Sequence, residues 1–378
     1  MNYFLSGNAI LKWLETPFVY NITNDELYEL DEDSFEFLRK CASETGCFSD
    51  ITDFTDYCLQ EGLLTKEKPS RQHPPLIRSS FPSLRYLELQ ITDKCNLRCR
   101  HCYIGDKGAN ELSSVQIRTV LTEFEEMQGL RVLITGGEPL LHSGFHGINK
   151  MFPDLSIRKI LFTNGLLLSD GILKCLNVDE IQISIDGLEK AHDAIRGKGT
   201  FRSAMDAIRR ATDTGFEVSV STMVHAKNLS DFDEMDELFN NLGIKDWTVD
   251  IPCATGRLKE NSDLHISPEQ GGKYLKYGHE GGLHSGTSGY ACGLHLLSVL
   301  ADGKIAKCTF YADRSIGRIE EGLKKCWQKI KPLKLDNLKC NCTQIEACRG
   351  GCRYRAELLG DPFGKDLYRC VLHDIINP

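Results

Sequence analysis

Three cysteines stand close together between Cys95 and Cys102, with three residues before Cys99 and two after it. Thiolates on one short loop can hold a metal cluster, and three of them leave one iron of a cubic [4Fe–4S] cluster without a protein ligand. Such an iron can bind a substrate. The alternative is zinc, but structural zinc sites are usually built from cysteine pairs with a fourth ligand nearby. The spacing therefore favours an iron–sulfur cluster.

A second group of cysteines follows in the C-terminal part of the chain. Its members are Cys292, Cys308, Cys326, Cys340, Cys342, Cys348, Cys352 and Cys370. The run does not divide into the pairs of zinc ribbons, which makes twin zinc sites the less favoured interpretation. The chain has 16 cysteines in 378 residues and no signal-peptide pattern at its start, so we expect metal sites in a reducing cytoplasm rather than disulfides.

Composition excludes other classes of protein. The net charge of −8 argues against a nucleic-acid binder, which would usually be basic. No apolar run approaches the roughly 18 residues of a membrane helix, so we expect no membrane partner. Hydrophobic residues at 41% and charged residues at 26% are ordinary for a globular protein.

Strand-like and helix-like segments alternate through the middle of the chain. The predicted strands are Leu84–Ile91, Arg131–Thr135, Lys159–Thr163, Glu180–Ile185, Phe216–Met223 and Asp246–Ile251. Between the first two, Ser113 and Gln116 are typical of the capping box at a helix start. Strands separated by helices predict a parallel sheet, whose active site lies at the carboxyl ends of the strands.

Short polar motifs follow several of these strands. They are Gly136-Gly137-Glu138-Pro139, Thr163-Asn164-Gly165 and Ser184-Ile-Asp186-Gly187, with Arg196 further along the chain. Paired glycines let a backbone approach a ligand closely, and a guanidinium can pair bidentately with a carboxylate. Taken alone, the glycine motif is an ordinary turn. A surface position is the less favoured interpretation of Arg196, given its distance from Ser184.

The cysteine loop, the aromatic Tyr103 behind it and the strand-end motifs together resemble the radical S-adenosylmethionine (radical SAM) superfamily. The resemblance implies that the open iron chelates SAM, that one electron breaks the sulfur–C5′ bond, and that the 5′-deoxyadenosyl radical abstracts a substrate hydrogen. It implies SAM contacts from Tyr103, Gly136, Gly137, Glu138, Asn164, Ser184, Asp186 and Arg196. The expected fold is α/β, a partial (β/α)6 TIM-like barrel.

The C-terminal cysteines resemble the SPASM extension of peptide-modifying radical SAM enzymes, which carries two auxiliary [4Fe–4S] clusters. The resemblance assigns Cys292, Cys308 and Cys352 to the first auxiliary cluster, and Cys340, Cys342, Cys348 and Cys370 to the second. The family usually has two residues where one separates Cys340 from Cys342. It also often has a further cysteine between the positions of Cys292 and Cys308. Its absence leaves the first cluster with three ligands and an open iron, unless Cys326 completes it.

Residues 1–68 are similar to a small winged-helix domain that holds the leader of a precursor peptide, the alternative being a packing extension of the main domain. The prediction rests on a hairpin of Phe18–Ile22 with Glu26–Leu30 and on helices near Ser34–Ser43 and Ile51–Glu61. We expect a linker at 69–83, the barrel at 84–258, a glycine-rich bridging loop at 259–289 and the SPASM domain at 290–378. Cys253, at the barrel mouth, is either a hydrogen donor or a packed thiol.

The resemblance implies a radical SAM maturase of a ribosomally made peptide, with three [4Fe–4S] clusters, SAM and a flavodoxin- or ferredoxin-type electron donor. A Cys thioether crosslink is the expected product, since an open auxiliary iron could hold a substrate thiolate. Alternatives are epimerisation, carbon–carbon crosslinking, a step of haem synthesis, or sulfatase activation, which Thr309 disfavours because those enzymes carry Asp there. A non-catalytic electron carrier is the alternative from a different class.

Overall fold

The computed structural model describes residues 2–70, 73–105, 108–279 and 288–375. Its N-terminal region contains β1 (Asn2–Leu5), β2 (Ala9–Trp13), β3 (Pro17–Asn21), β4 (Glu26–Glu29), α1 (Glu32–Cys41), β5 (Cys47–Phe48), α2 (Thr52–Gln60) and β6 (Leu64–Thr65). These strands form the antiparallel sheets β2–β3–β4 and β5–β1–β6. The predicted hairpin and both predicted helices are confirmed. Strands β1 and β2 were not predicted from the sequence.

The middle of the chain forms a partial barrel. Its elements are β7 (Tyr86–Thr92), α3 (Ser114–Glu126), β8 (Arg131–Gly136), α4 (Phe145–Asn149), β9 (Arg158–Thr163), α5 (Asp170–Leu173), β10 (Glu180–Ser184), α6 (Glu189–Arg196), α7 (Thr200–Asp213), β11 (Glu217–Met223), α8 (Phe232–Asn241) and β12 (Trp247–Asp250). Strands β7 to β12 pair in parallel with their sequence neighbours, as predicted.

Local sequence explains why these elements form. Helix α3 starts at the predicted capping box, in which Gln116 N donates to Ser113 Oγ at 3.2 Å and Ser113 N donates to Gln116 Oε1 at 2.9 Å. Its apolar residues Ile117, Val120 and Phe124 recur at helical spacing and are buried against the sheet. The helices therefore cover the outside of the sheet and leave its inner face to line a cavity.

The C-terminal part contains α9 (Pro268–Gly271), β13 (Leu296–Val299), β14 (Lys304–Ala306), β15 (Gly317–Arg318), α10 (Leu323–Gln328), α11 (Ile345–Cys348), α12 (Arg353–Leu358) and α13 (Leu367–Leu372). Strand β13 pairs in parallel with β7, and β14 and β15 continue the sheet in antiparallel fashion. The barrel sheet therefore extends past residue 258, the boundary predicted for it. Without β13, the edge of β7 that faces away from β8 would expose a row of backbone donors and acceptors. Strand β13 pairs with these groups.

The bridging segment 259–289 is more ordered than the loop that the sequence predicted. It contains α9 and 3-10 turns at Ser262–Leu264 and Gly272–Tyr277, while residues 280–287 lie outside the described residues. Ser267 and Gln270 form a capping box, and Tyr274 and Tyr277 pack on the ring of Phe232. The described part of this segment therefore consists of short helical turns packed on the barrel.

Arg158, at the start of β9, joins the N-terminal region to the barrel. Its Nη1 donates to the carbonyl oxygens of Ile22 at 2.8 Å and Thr23 at 3.0 Å, and its Nη2 donates to Glu180 at 3.0 Å. The side chains of Arg158 and Glu180 are 1% and 4% exposed. The N-terminal hairpin thus sits against the amino ends of the barrel strands. Within the described ranges, no helix is long and apolar enough to cross a membrane.

Replacing Arg158 by methionine should lower the free energy of unfolding by about 3–5 kcal/mol, because Glu180 is left as a buried charge without its partner. Urea unfolding followed by circular dichroism measures the change. Arg209→Ala, which removes an exposed partner of Asp206, is the control and should change stability by less than about 1 kcal/mol. Equal effects of the two substitutions would contradict this role for Arg158.

Candidate active site

A cavity of about 980 Å³ lies inside the barrel and opens at the carboxyl ends of its strands. Among the residues predicted from sequence, its lining includes Cys95, Cys99, Cys102, Tyr103, Gly136, Gly137, Asn164, Ser184, Arg196 and Cys253. Residues that are as far apart in sequence as Cys95 and Cys253 therefore meet at one site. The side chains of Glu138 and Asp186 lie outside the lining and are fully buried.

Close backbone packing holds the loop that carries Cys95, Cys99 and Cys102. A Cβ atom added to Gly137 would lie 2.4 Å from the Lys94 carbonyl oxygen, so a larger residue cannot take this position without moving the loop. The guanidinium of Arg257 donates to the carbonyl oxygens of Cys99 at 2.8 Å and Gly105 at 2.9 Å. These contacts fix the loop at the cavity mouth.

The three cysteines of this loop differ in exposure, since Cys99 is buried, Cys102 half-buried and Cys95 exposed. Cys99 is 8% exposed, and Arg196 Nη1 lies 4.0 Å from its sulfur. Burial raises the pKa of Cys95 to about 11, which keeps the thiol protonated at neutral pH in the absence of metal. Metal binding requires the thiolate, so loading a cluster here releases protons.

Asp186 orients Arg196 instead of contacting a ligand through its own side chain. Arg196 Nε donates to Asp186 Oδ2 at 2.5 Å, and Met223 N donates to Oδ1 at 2.8 Å. Burial opposes ionisation of Asp186, but Arg196 outweighs it and holds the pKa of this carboxyl well below its usual value. The oxygens of the Asp186 side chain thus have protein partners and position Arg196, and the SAM contact expected of this residue stays a prediction.

Glu138 is likewise enclosed and joins two strand-end loops. Its oxygens accept from Thr163 Oγ1 at 2.9 Å and from Asn164 N at 2.9 Å. Burial raises the pKa of Glu138 to about 7. Asn164 Nδ2 in turn donates to Asn96 Oδ1 in the cysteine loop at 2.8 Å. The Glu138 side chain therefore positions Asn164, and the SAM contact expected of Glu138 stays a prediction.

Sequence reasoning missed Glu88, an acidic residue that lines the cavity from β7. It accepts from Thr309 N at 3.0 Å and from the hydroxyl of Ser298 on β13. Burial raises the pKa of Glu88. The sequence held one signal for Glu88, which is its position between the apolar residues Leu87 and Leu89, both buried in the structure. A charged side chain in such a strand faces either solvent or a functional site.

The cysteines of the C-terminal part fall into separate places. Cys340 interacts electrostatically with Cys342 and Cys348, and Cys370 with Cys340 and Cys348. Cys352 lies close enough to Cys253, Cys292 and Cys308 to interact with each of them. Cys326 lies apart on α10, where it is buried in the core and its sulfur contacts the Arg318 carbonyl oxygen at 3.6 Å.

None of the described His, Cys, Asp and Glu side chains converge in threes on one point, as ligands of a single ion would. An iron–sulfur cluster is held differently, through thiolates on its separate irons. The three cysteines at the cavity mouth therefore suit an iron–sulfur cluster better than a single metal ion.

Residues 89–239, which carry the cysteine loop and the strand-end motifs, match the model of the Radical SAM superfamily. These residues are a radical SAM domain. This superfamily uses SAM together with a [4Fe–4S] cluster. The cavity mouth fits this pair, because it combines three cysteines on one loop, a close-approaching glycine pair and a buried arginine beside Cys99.

Radical SAM proteins of different activities are similar to this chain. The mycofactocin maturase MftC of Mycolicibacterium smegmatis is 28% identical over 75% of this chain and 82% of its own length. The AdoMet-dependent heme synthase of Nitratidesulfovibrio vulgaris is 28% identical over 53% of this chain. The chain spans about half the length of this synthase, with 56% of it aligned.

A solved structure gives the fold comparison for this radical SAM protein. SuiB of Streptococcus suis, in a crystal structure bound to its precursor peptide SuiA, aligns with 97% of this chain and 100% of its own chain at a TM-score of 0.66. The sequence identity is 15%, so the likeness shows the shared fold alone. The predicted α/β class with a radical SAM partial barrel is confirmed.

The raised pKa of Glu138 predicts a pH-dependent stability. A carboxyl group whose pKa rises on folding stabilises the protein fully below its unfolded value, and this contribution is lost as the pH rises through about 7. Between pH 4.5 and 8, the wild type should lose roughly 2–3 kcal/mol relative to Glu138→Gln. Urea unfolding of the cluster-free protein across this range measures the difference, with Glu234→Gln as an exposed control. A constant difference between the Glu138 variant and wild type would refute the assignment.

Proposed function

We propose that this chain is a radical SAM maturase of a ribosomally made peptide. The observation that carries the proposal is the meeting of the cysteine loop, Asn164, Ser184 and Arg196 at the mouth of one large cavity. A simple electron carrier would need neither the cavity nor these polar groups. A substrate bound in the barrel lies directly beneath the cysteine loop.

Each group at the cavity mouth has a proposed task. Cys95, Cys99 and Cys102 hold the cluster, and Arg196 pairs with the carboxylate of SAM, a task that suits a guanidinium. The backbone of Gly137 approaches the amino group of SAM. When bound, the cluster and SAM supply the 5′-deoxyadenosyl radical, and the barrel strands shield it from water.

The peptide substrate is supported by the size of the cavity and by the N-terminal sheet. A volume of about 980 Å³ is at the upper end for a small-molecule site, and it leaves room for a peptide side chain next to SAM. In the sheet β2–β3–β4, β4 is an edge strand whose Glu26 and Glu29 are exposed. An extended leader segment can add to such an edge. The structural relative SuiB was crystallised with a precursor peptide.

We further propose that the product is a Cys thioether crosslink. Forming it removes two hydrogens, one as an atom taken by the radical and one as a proton from the thiol. A bound auxiliary cluster would supply the acceptor for the one electron that remains. Cys340, Cys342, Cys348 and Cys370 are the proposed ligands of the second auxiliary cluster. The first takes Cys292, Cys308 and Cys352. The electron enters the SAM cluster from a flavodoxin- or ferredoxin-type donor.

A second candidate function is a step of haem synthesis, which the heme synthase relatives favour. The same cavity would then take an iron porphyrin. Incubation with SAM, reductant and iron coproporphyrin III distinguishes the two, since decarboxylation of the porphyrin would replace peptide modification as the activity.

Reduced, reconstituted protein should convert SAM to 5′-deoxyadenosine, and Cys99→Ala should abolish this cleavage because its cluster lacks one of three ligands. Liquid chromatography of the nucleoside product gives the rate. Cys175→Ala is the matched control, since Cys175 is exposed on the barrel surface, and it should retain full activity. SAM cleavage that survives in Cys99→Ala would refute the assigned site.

Co-expression with a short cysteine-containing peptide encoded beside this chain tests the substrate. The account expects the peptide to lose two hydrogens, about 2 Da, and one cysteine to become resistant to alkylation. Mass spectrometry measures both changes, and the Cys99→Ala variant is the negative control. A mass that is unchanged in ordinary water but rises in deuterium oxide would indicate epimerisation. If the peptide shows no mass change in either solvent, the peptide assignment is overturned.

A further inference from the structure

We propose that Cys253 is the fourth ligand of the first auxiliary cluster, together with Cys292, Cys308 and Cys352. The inference deepens the proposed function, because it takes the C-terminal cysteines as cluster ligands. It assigns to this cluster a residue at the barrel mouth for which the sequence predicted either a hydrogen donor or a packed thiol.

Contacts of Cys253 carry the inference. It follows the end of β12, is 3% exposed and lies against the cavity. Its thiol lies close enough to Cys352, the residue before α12, for the two to interact. Two cysteines that are separated by about a quarter of the chain are thus neighbours in the fold, although the cysteines of the described residues form no disulfide.

The segments of the other two predicted ligands pack beside Cys352. Cys292 N donates to the Arg349 carbonyl oxygen at 3.3 Å, and the ring of Phe310, two residues after Cys308, stacks on that of Tyr354. Cys292 lies close enough to Cys352 for their charges to interact, and Cys308 interacts with both Cys292 and Cys352. These residues come from the segment before β13 and the segment after β14. Four chain segments that each carry one cysteine therefore lie side by side, and a cubic cluster takes four thiolate ligands on its separate irons.

Arg355 makes the meeting of Cys253 and Cys352 a fixed feature. On the side of Cys253, Arg355 Nη1 donates to Asp250 Oδ1 at 2.6 Å and to the Ile251 carbonyl oxygen at 3.0 Å. On the side of Cys352, it pairs with Asp366 at 2.9 Å, and Asp366 accepts from Cys352 N at 2.7 Å. One buried guanidinium therefore ties both cysteine-bearing segments together.

Cys326, the candidate that the sequence offered, occupies a different environment. It is fully buried on α10, and a Cβ added at Gly317 would lie 2.5 Å from its sulfur. It packs in the same core cluster as Leu323 and Trp327. A cluster cannot enter this packed core without displacing α10, so Cys326 is assigned to packing.

A first auxiliary cluster with four cysteines has no open iron for a substrate thiolate. Its task in the proposed reaction is then to accept the electron that leaves the substrate. Cys253 also ceases to be a hydrogen donor, because a ligating thiolate carries no S–H. The crosslinking thiol must therefore be held by the peptide in the cavity rather than by this cluster.

The test uses the full chain with Cys95, Cys99 and Cys102 replaced by alanine, so that the auxiliary clusters are observed alone. After anaerobic reconstitution, about eight irons per chain are expected. Adding Cys253→Ala should remove about one iron per chain and produce the EPR signal of a [3Fe–4S] cluster after mild oxidation. Cys326→Ala and Cys175→Ala should leave the iron content and the spectrum unchanged.

Unchanged iron in Cys253→Ala, or loss of iron in Cys326→Ala, would overturn the inference. If Cys253→Ala does not fold, the unsubstituted auxiliary clusters give the answer: added free cysteine should leave their reduced EPR spectrum unaltered, whereas a shifted spectrum would reveal an open iron. No step uses SAM or peptide. A parent protein that loads no auxiliary iron contradicts the proposed function itself, whereas full loading without dependence on Cys253 contradicts this inference alone.

Discussion

The buried guanidinium of Arg355 joins the barrel to the C-terminal part of the chain through its hydrogen bonds to Asp250 and Asp366. Its side chain is 5% exposed, and its partner Asp366 is 1% exposed. Removing one member of such a group leaves uncompensated buried charge, which costs about 3–5 kcal/mol. Asp250 ends the last barrel strand, while Asp366 precedes α13, so the group holds the C-terminal cysteines against the barrel mouth.

The same physical rule recurs at the cavity itself. Glu138 and Asp186 are carboxylates without solvent exposure, and each is enclosed by donors from neighbouring loops. Neither lines the cavity, yet Glu138 positions Asn164 and Asp186 orients Arg196. Asn164 and Arg196, which line the cavity, are thus held by buried polar partners behind them. This reduces the side-chain conformational entropy that would be lost on ligand binding.

Much of this arrangement could be predicted because parallel strands bring their carboxyl ends to one edge. The cysteine loop, Gly137, Asn164 and Ser184 each follow a strand, so their convergence needed only the strand order. Pairing between distant segments was not encoded locally. The addition of β13 beside β7 and the closeness of Cys253 to Cys352 depend on three-dimensional packing across long stretches of chain. The motifs point to Glu138 and Asp186, but a motif does not tell a residue that touches a ligand from one that positions another residue.

The most direct test of the account is a hyperfine measurement on the cluster at the cavity mouth. Reduced, reconstituted protein would be mixed with SAM labelled with 15N in the amino group and 17O in the carboxylate, and examined by electron–nuclear double resonance. The account predicts coupling of both labels to the cluster spin in the wild type, with loss of the signal in Cys99→Ala and its retention in Cys175→Ala. Absence of coupling in wild-type protein that carries the reduced cluster would contradict the proposed binding of SAM at the open iron.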